Sequence, residues 1–367
     1  MSSGILTGDA ASEMLHVMRG RRHGLRPGRD GEPRSILRTA LAAYRSCGAD
    51  LPLADLARDH QAPMEGYYWR IVDHGRGTVV VWLCGICMTG AERWAVVACA
   101  ADPGGLVRYE LVSPARGDPY GFGAQAADVL SGSADRLVAR LGDDTWIDVR
   151  LEPRVAWPRG PFGALGPAQM VPGLPQYWQP VVLEASVRGE ARVAGERITL
   201  DGATAYAEKN WGRRFTEHWW WGHAGAFARE DATVAFAGGR LRLLGTTFPP
   251  TAVVVRLGRR ILALAPPLAR VTVAASAEAW RIRAHSALWS LELDAEAGES
   301  GPQWLPVPAL PDRRVDLRSA HYLAGRLALR LSRAGRIVLD DVSPLAGLER
   351  GLPAAAVIGR PSPGPPP

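Results

Sequence analysis

Between Asp201 and Phe227 the chain reads DGATAYAEKNWGRRFTEHWWWGHAGAF, the densest gathering of ionisable groups and large aromatics in the sequence. Glu208, Lys209 and Asn210 stand in a row between Tyr206 and Trp211, and Trp219, Trp220 and Trp221 follow, closed by His223. Of 43 basic residues, Lys209 is the only lysine. An ammonium is compact and changes its pKa readily when desolvated, whereas a guanidinium stays charged, so a lone Lys marks a tight or tunable cation. The plainer alternative is an exposed Glu-Lys pair, which contributes little. With side chains alternating at a period of two, Tyr206, Glu208 and Asn210 share one face and Ala205, Ala207, Lys209 and Trp211 the other. Either the first face lines a cavity, or it meets solvent and Lys209 is buried with a partner; the period does not choose.

Working outward, strand-like runs occupy both sides of this stretch. Upstream, Glu65-Gly66-Tyr67-Tyr68-Trp69-Arg70 opens a series that continues through Thr78 to Met88, Arg93 to Cys99, Leu106 to Val112, Arg136 to Leu141 and Trp146 to Leu151. Downstream come Thr233 to Ala237, a Gly238-Gly239 pair read as a hairpin turn, Leu241 to Leu244, Ala252 to Leu257 and further runs to Leu331. Regular short runs with Gly and Pro between them indicate an all-β sandwich or barrel. The expected organisation is a helical, basic appendage at 1–50, a first β domain at 51–200, a second at 201–348 and a Pro-rich tail at 349–367, with the two β domains joined near Gly202. A long Pro- and Gly-rich connection, Trp157 to Trp178, is the length of a functional loop.

The composition narrows the function classes. A 367-residue chain that is 47% apolar can fill two cores. The net charge of +6 permits attraction to anionic surfaces, but no nucleic-acid motif accompanies it, so no nucleic-acid partner is expected. The arginine-rich run from Arg19 to Arg34 is either an arm resting on anionic lipid headgroups or a solvated tail. Cys47, Cys84, Cys87 and Cys99 are too few for a disulfide scaffold and lack zinc spacing, so free thiols are expected. His218 and His223 fall on opposite strand faces, which argues against a metal site. No secretory signal or apolar run of membrane-spanning length is visible, which places the protein in the cytoplasm, with peripheral membrane contact through the arm as the alternative. No phosphate-cradling loop appears, so no nucleotide cofactor is expected.

AYAEKNWG, followed by Phe215 and aromatic residues, resembles the signature of the tocopherol cyclase family, Gly-Tyr-Ile-Glu-Lys-Asp-Trp-Gly followed by Phe-Pro and Trp-x-Trp. Met64-Glu65-Gly66-Tyr67-Tyr68-Trp69-Arg70 is similar to that family's Phe-Glu-Gly-Trp-Tyr-Phe opening, and Gly160-Pro161-Phe162-Gly163 to its glycine-rich connection. The resemblance spans residues 60 to 345. It implies an all-β pair of lipocalin-like barrels, and a cofactor-free cyclase or related isomerase that closes a ring on a prenylated quinol. Asn210 stands where the family has Asp and Ala205 where it has Gly. Gln176, Tyr177 and Trp178 stand where the family has a Cys and a His close together.

Ring closure onto an alkene needs a strong, sheltered acid, a stabilised cation and a nucleophile to trap it. A carboxylic acid in an apolar pocket stays protonated near neutrality, which makes Glu208 the candidate donor. Asn210 and His223 complete the candidate catalytic set, the imidazole as acceptor of the phenolic proton. Tyr206, Trp211, Trp219, Trp221, Glu65 and Tyr67 are the candidate substrate-binding residues, the indoles for their attraction to cations. Lys209, of opposite parity to Glu208, is assigned to a structural ion pair with Glu65 or another acid. A carrier that binds an apolar isoprenoid without transforming it, and a hydratase in which water traps the cation, are the competing expectations.

Overall fold

The computed structural model describes residues 33–243, 245–310, 312–353 and 356. A short N-terminal unit ends at Ala42 and the main body begins at Ala43, with one helix, Pro33–Ser46, running through that point. Met14 to Met18, the arginines from Arg19 to Arg29 and the tail from 357 onward lie outside the described residues. No helix among the described residues is long and apolar enough to cross a membrane.

Two large antiparallel sheets make up the main body, as the all-β expectation required. In the twelve-stranded sheet, Met64–Asp73 lies between Thr78–Thr89 and Thr204–Gly212, and the latter is bonded on its other edge to Gln176–Val193. In the ten-stranded sheet, Trp219–Ala224 lies between Ala232–Gly239 and Arg336–Gly351, which in turn pairs with Arg314–Arg333. Each sheet curls around its own apolar interior. Tyr67, Trp69, Ile71 and Trp82 help fill the first, and Phe236, Val253, Leu293 and Leu329 the second. A third cluster draws on both sheets, with Tyr68, Val81, Trp178 and Tyr206 from the first meeting Trp221, Ala235, Val254 and Leu323 from the second. The sheet faces that turn away from the barrel interiors are therefore buried against each other.

This arrangement moves three expected boundaries. Thr204–Gly212 is an interior strand of the first sheet, so the joint between domains falls in 213–218 and not near Gly202. The final strand, Arg336–Gly351, runs past the expected end at 348, because Gly351 still pairs with Trp219 and Ser319. The first domain begins before 51, since Asp50 is buried and bonded to His60. Gly238 and Gly239 are not a hairpin turn but lie inside Ala232–Gly239. A Cβ there would approach Trp220 Nε1 to 2.4 Å and Thr216 Oγ1 to 2.5 Å respectively. Their role is close approach, and positive φ is not what they provide.

Candidate functional site

The two-residue alternation of Thr204–Gly212 buries both of its faces, because one side is barrel interior and the other is covered by the second sheet. Lys209 is 0% exposed and Glu208 4%. The question of which face is buried thus has the answer that both are.

On the barrel side, Tyr67 lies directly opposite Lys209, and Glu65 opposite Trp211. Lys209 Nζ is 2.8 Å from Glu65 Oε2 and donates to the Arg58 carbonyl. It also donates to His60 Nδ1 at 2.9 Å, so His60 must carry its proton on Nε2, 2.7 Å from Asp50 Oδ2. Burial lowers the Lys209 ammonium and raises the Glu65 carboxyl from their ordinary values, and their mutual attraction opposes both moves. Tyr67 donates to Glu65 Oε2, and Trp211 stacks on His60 at 4.1 Å while donating to the Gly48 carbonyl. Glu65, Tyr67 and Trp211, expected to bind substrate, have their side chains in this charged structural cluster, across the sheet from Glu208.

On the other side, side chains directly across from one another on paired strands share a face. Tyr68 is opposite Glu208 in the first sheet, and Trp221 and His321 are each opposite Glu349 in the second. These two rows meet. Three donors converge on Glu208 Oε2: Tyr206 Oη at 2.6 Å, Trp178 Nε1 at 2.7 Å and Trp221 Nε1 at 2.8 Å. Oε1 receives none of the three. No ion pair to Glu208 is formed among the described residues, and burial pushes its carboxyl up to about 7, against the pull of the three hydrogen bonds.

The second row holds a carboxylate of opposite character. Burial alone would raise Glu349, but hydrogen bonds and the facing His321 ring outweigh it and hold the group below the ordinary value. Its Oε1 accepts from Trp219 Nε1 at 2.6 Å and Ser319 Oγ at 2.8 Å. His321 Nδ1 stands 3.6 Å from Oε2, beyond a direct hydrogen bond, while Nε2 is 3.1 Å from Tyr68 Oη. Both carboxylates line a cavity of about 580 Å³ with Trp178, Asn210, Trp219 and Trp221. Asn210 Oδ1 accepts a long contact of 3.4 Å from Gln176.

His223 is not part of this cavity. Its ring stacks on Tyr206 at 4.0 Å and lines a separate cavity of about 640 Å³ from which Glu208 is absent. Burial first, then the Arg70 charge, hold His223 well below its ordinary pKa. Of the expected site residues, then, the structure brings together Glu208, Asn210, Tyr206, Trp219 and Trp221. It adds Trp178, Tyr68, His321 and Glu349, which sequence reasoning left out. Trp178 stood in the segment already marked as a departure from the family pattern, and Glu349 lies on the last strand just past the expected domain end at 348. Tyr68 and His321 are placed only by long-range pairing. All four cysteines are free, with Cys84, Cys87 and Cys99 buried. No group of three or more His, Cys, Asp or Glu is placed to hold a metal among the described residues.

A family model described as tocopherol cyclase-like matches residues 122–352. The chloroplastic tocopherol cyclase of Zea mays is 26% identical over 187 residues, covering 48% of this chain and 39% of that protein. A probable chloroplastic tocopherol cyclase of Oryza sativa subsp. japonica is 26% identical over 185 residues, with the same coverages of 48% and 39%. The matched region thus spans less than half the length of these curated relatives. Among solved structures, CghA with Sch210972 aligns with a TM-score of 0.55 at 11% identity, covering 79% of this chain and 89% of that one. That likeness is one of fold.

Proposed function

The chain belongs to the tocopherol cyclase-like family, and from that premise we propose that it closes a ring on a prenylated quinol, or a closely related apolar isoprenoid, by alkene protonation. Glu208 is the acid. The observation that carries this reading is a buried carboxyl held by three neutral donors and no cation, with a pKa near 7, at the wall of an apolar cavity. A carboxylate beside Arg or Lys would be ionised and useless as a donor to carbon; this one keeps its proton near neutrality.

With Oε2 occupied by Tyr206, Trp178 and Trp221, the proton resides on Oε1. Transfer to the less substituted alkene carbon forms a C–H bond and leaves a tertiary cation, which the indole rings of Trp178, Trp219 and Trp221 stabilise. The phenol oxygen closes the ring and releases its proton to Glu349, the ionised carboxylate of the same cavity. One proton enters and one leaves, so the reaction is an isomerisation. The pair of carboxyls with pKa values pushed apart supplies the acid and base assignments.

Incubation with a prenyl benzoquinol in D2O tests this directly. A chroman carrying one deuterium, at the carbon protonated during closure, is expected. Saturable binding with unchanged ligand would identify a carrier instead, and a tertiary alcohol a hydratase. Contact with anionic membranes is a separate proposal, tested by liposome sedimentation before and after deletion of residues 1–34.

A further inference from the structure

The cavity on the far side of Tyr206 has an electrostatic character unlike the first. Arg70 and His223 are 1% and 5% exposed, and both line it. Arg70 Nη2 donates to the Leu323 and Leu345 carbonyls at 2.8 Å each, yet Nε has no partner and no carboxylate pairs with the guanidinium among the described residues. Neither ring nitrogen of His223 is hydrogen-bonded. A buried guanidinium keeps its charge, and carbonyl dipoles offset only part of its desolvation. Two buried polar side chains with unpartnered nitrogens therefore line one hollow, an arrangement that an anionic ligand would complete.

The other charges at the cavity do not fill that need. Glu184 is already bonded to Arg256 and lies 3.5 Å from Arg154. Glu230 is exposed, and His74 bonds Thr204. Gly225 keeps the imidazole edge open, since a Cβ there would sit 3.8 Å from His223 Cε1 and 4.0 Å from Nε2. Leu183, Phe227 and Leu345 supply an apolar wall. We propose that this second cavity binds a small organic carboxylate, its oxygens on the Arg70 guanidinium and the His223 ring N–H and its body against Leu183, Phe227 and Leu345. The assignment is independent of the reaction given to Glu208, and it removes His223 from that chemistry.

Isothermal titration calorimetry on the full chain tests it with benzoate, decanoate and the uncharged benzamide. At least one carboxylate is expected to bind saturably at one site, about tenfold or more tighter than benzamide, as a charge-assisted pair demands. Which of the two binds distinguishes an aromatic from an aliphatic acid. Arg70→Met should weaken binding about tenfold or more. Because Arg70 also ties the two sheets, Gly225→Leu is the second variant: it puts a side chain beside the His223 edge of the hollow without removing a hydrogen-bonding side chain, and should weaken binding about tenfold or more. Glu208→Gln should retain it within about threefold. Failure of both carboxylates to bind, equal affinity for benzamide, undiminished binding by Gly225→Leu, or loss of binding in Glu208→Gln would each overturn the assignment.

Discussion

The two faces of Thr204–Gly212 hold adjacent ionisable residues under opposite rules. Lys209 and Glu65 are both fully buried and compensate each other, and His60 and Asp50 extend the chain of contacts. Glu208, one residue away, is just as enclosed but meets only hydroxyl and indole donors. Equal burial therefore produces an ion pair on one side and, on the other, a carboxyl pushed toward its neutral form. What separates the two outcomes is the charge of the neighbours, and not the depth of the site.

The sharpest way to break that comparison is to remove the acid. Glu208→Gln should lower ring-closing turnover by about 1000-fold, within the range of a lost general acid, while ligand affinity measured by fluorescence titration stays within a few fold. Normal turnover in that variant would assign the proton to another group. Next in size is Lys209→Met. It leaves the buried Glu65 with only Arg93, 3.9 Å away, as a cationic partner and is expected to cost about 3 kcal/mol in urea unfolding, and a loss under about 1 kcal/mol would mean that the pair does not hold the barrel.

The pH dependence of stability distinguishes the faces with a definite sign. Glu208 has a folded-state pKa of about 7 against an ordinary 4.5, so its favourable contribution is complete below 4.5 and is lost as pH rises through 7. That span corresponds to about 3 kcal/mol. Asp50, raised to about 6 by burial, has the same sign, so the test is a difference. Glu208→Gln should match the natural chain at pH 4 and exceed its stability at pH 8. Smaller again is Trp178→Phe. Deleting one donor to the carboxylate should move the alkaline limb of the pH–rate profile upward by a fraction of a unit, and a downward movement would contradict the role given to the indole. Asn210→Asp should change turnover least, by no more than a few fold.

Much of this was legible in the sequence, and what was not has a physical cause. Alternation placed Glu208 and Lys209 on opposite faces correctly, because the period of a strand is fixed by local geometry. It could not show that both faces are buried, since that depends on a second sheet closing over the first. Gly238 and Gly239 read as a turn for want of the Trp220 and Thr216 contacts that explain them. His321 and Glu349 are neighbours through strand register alone. Nothing within either segment announces the other.

The placement of Trp221 has a further consequence. Glu208 stands on the first sheet, but one of the three groups that donate to its carboxyl, Trp221, arrives from the second sheet across the 213–218 link. Neither sheet alone holds the full set of donors to that carboxyl. Exchanging only the second sheet between relatives would retune the acidity of Glu208 while the glutamate itself stayed untouched.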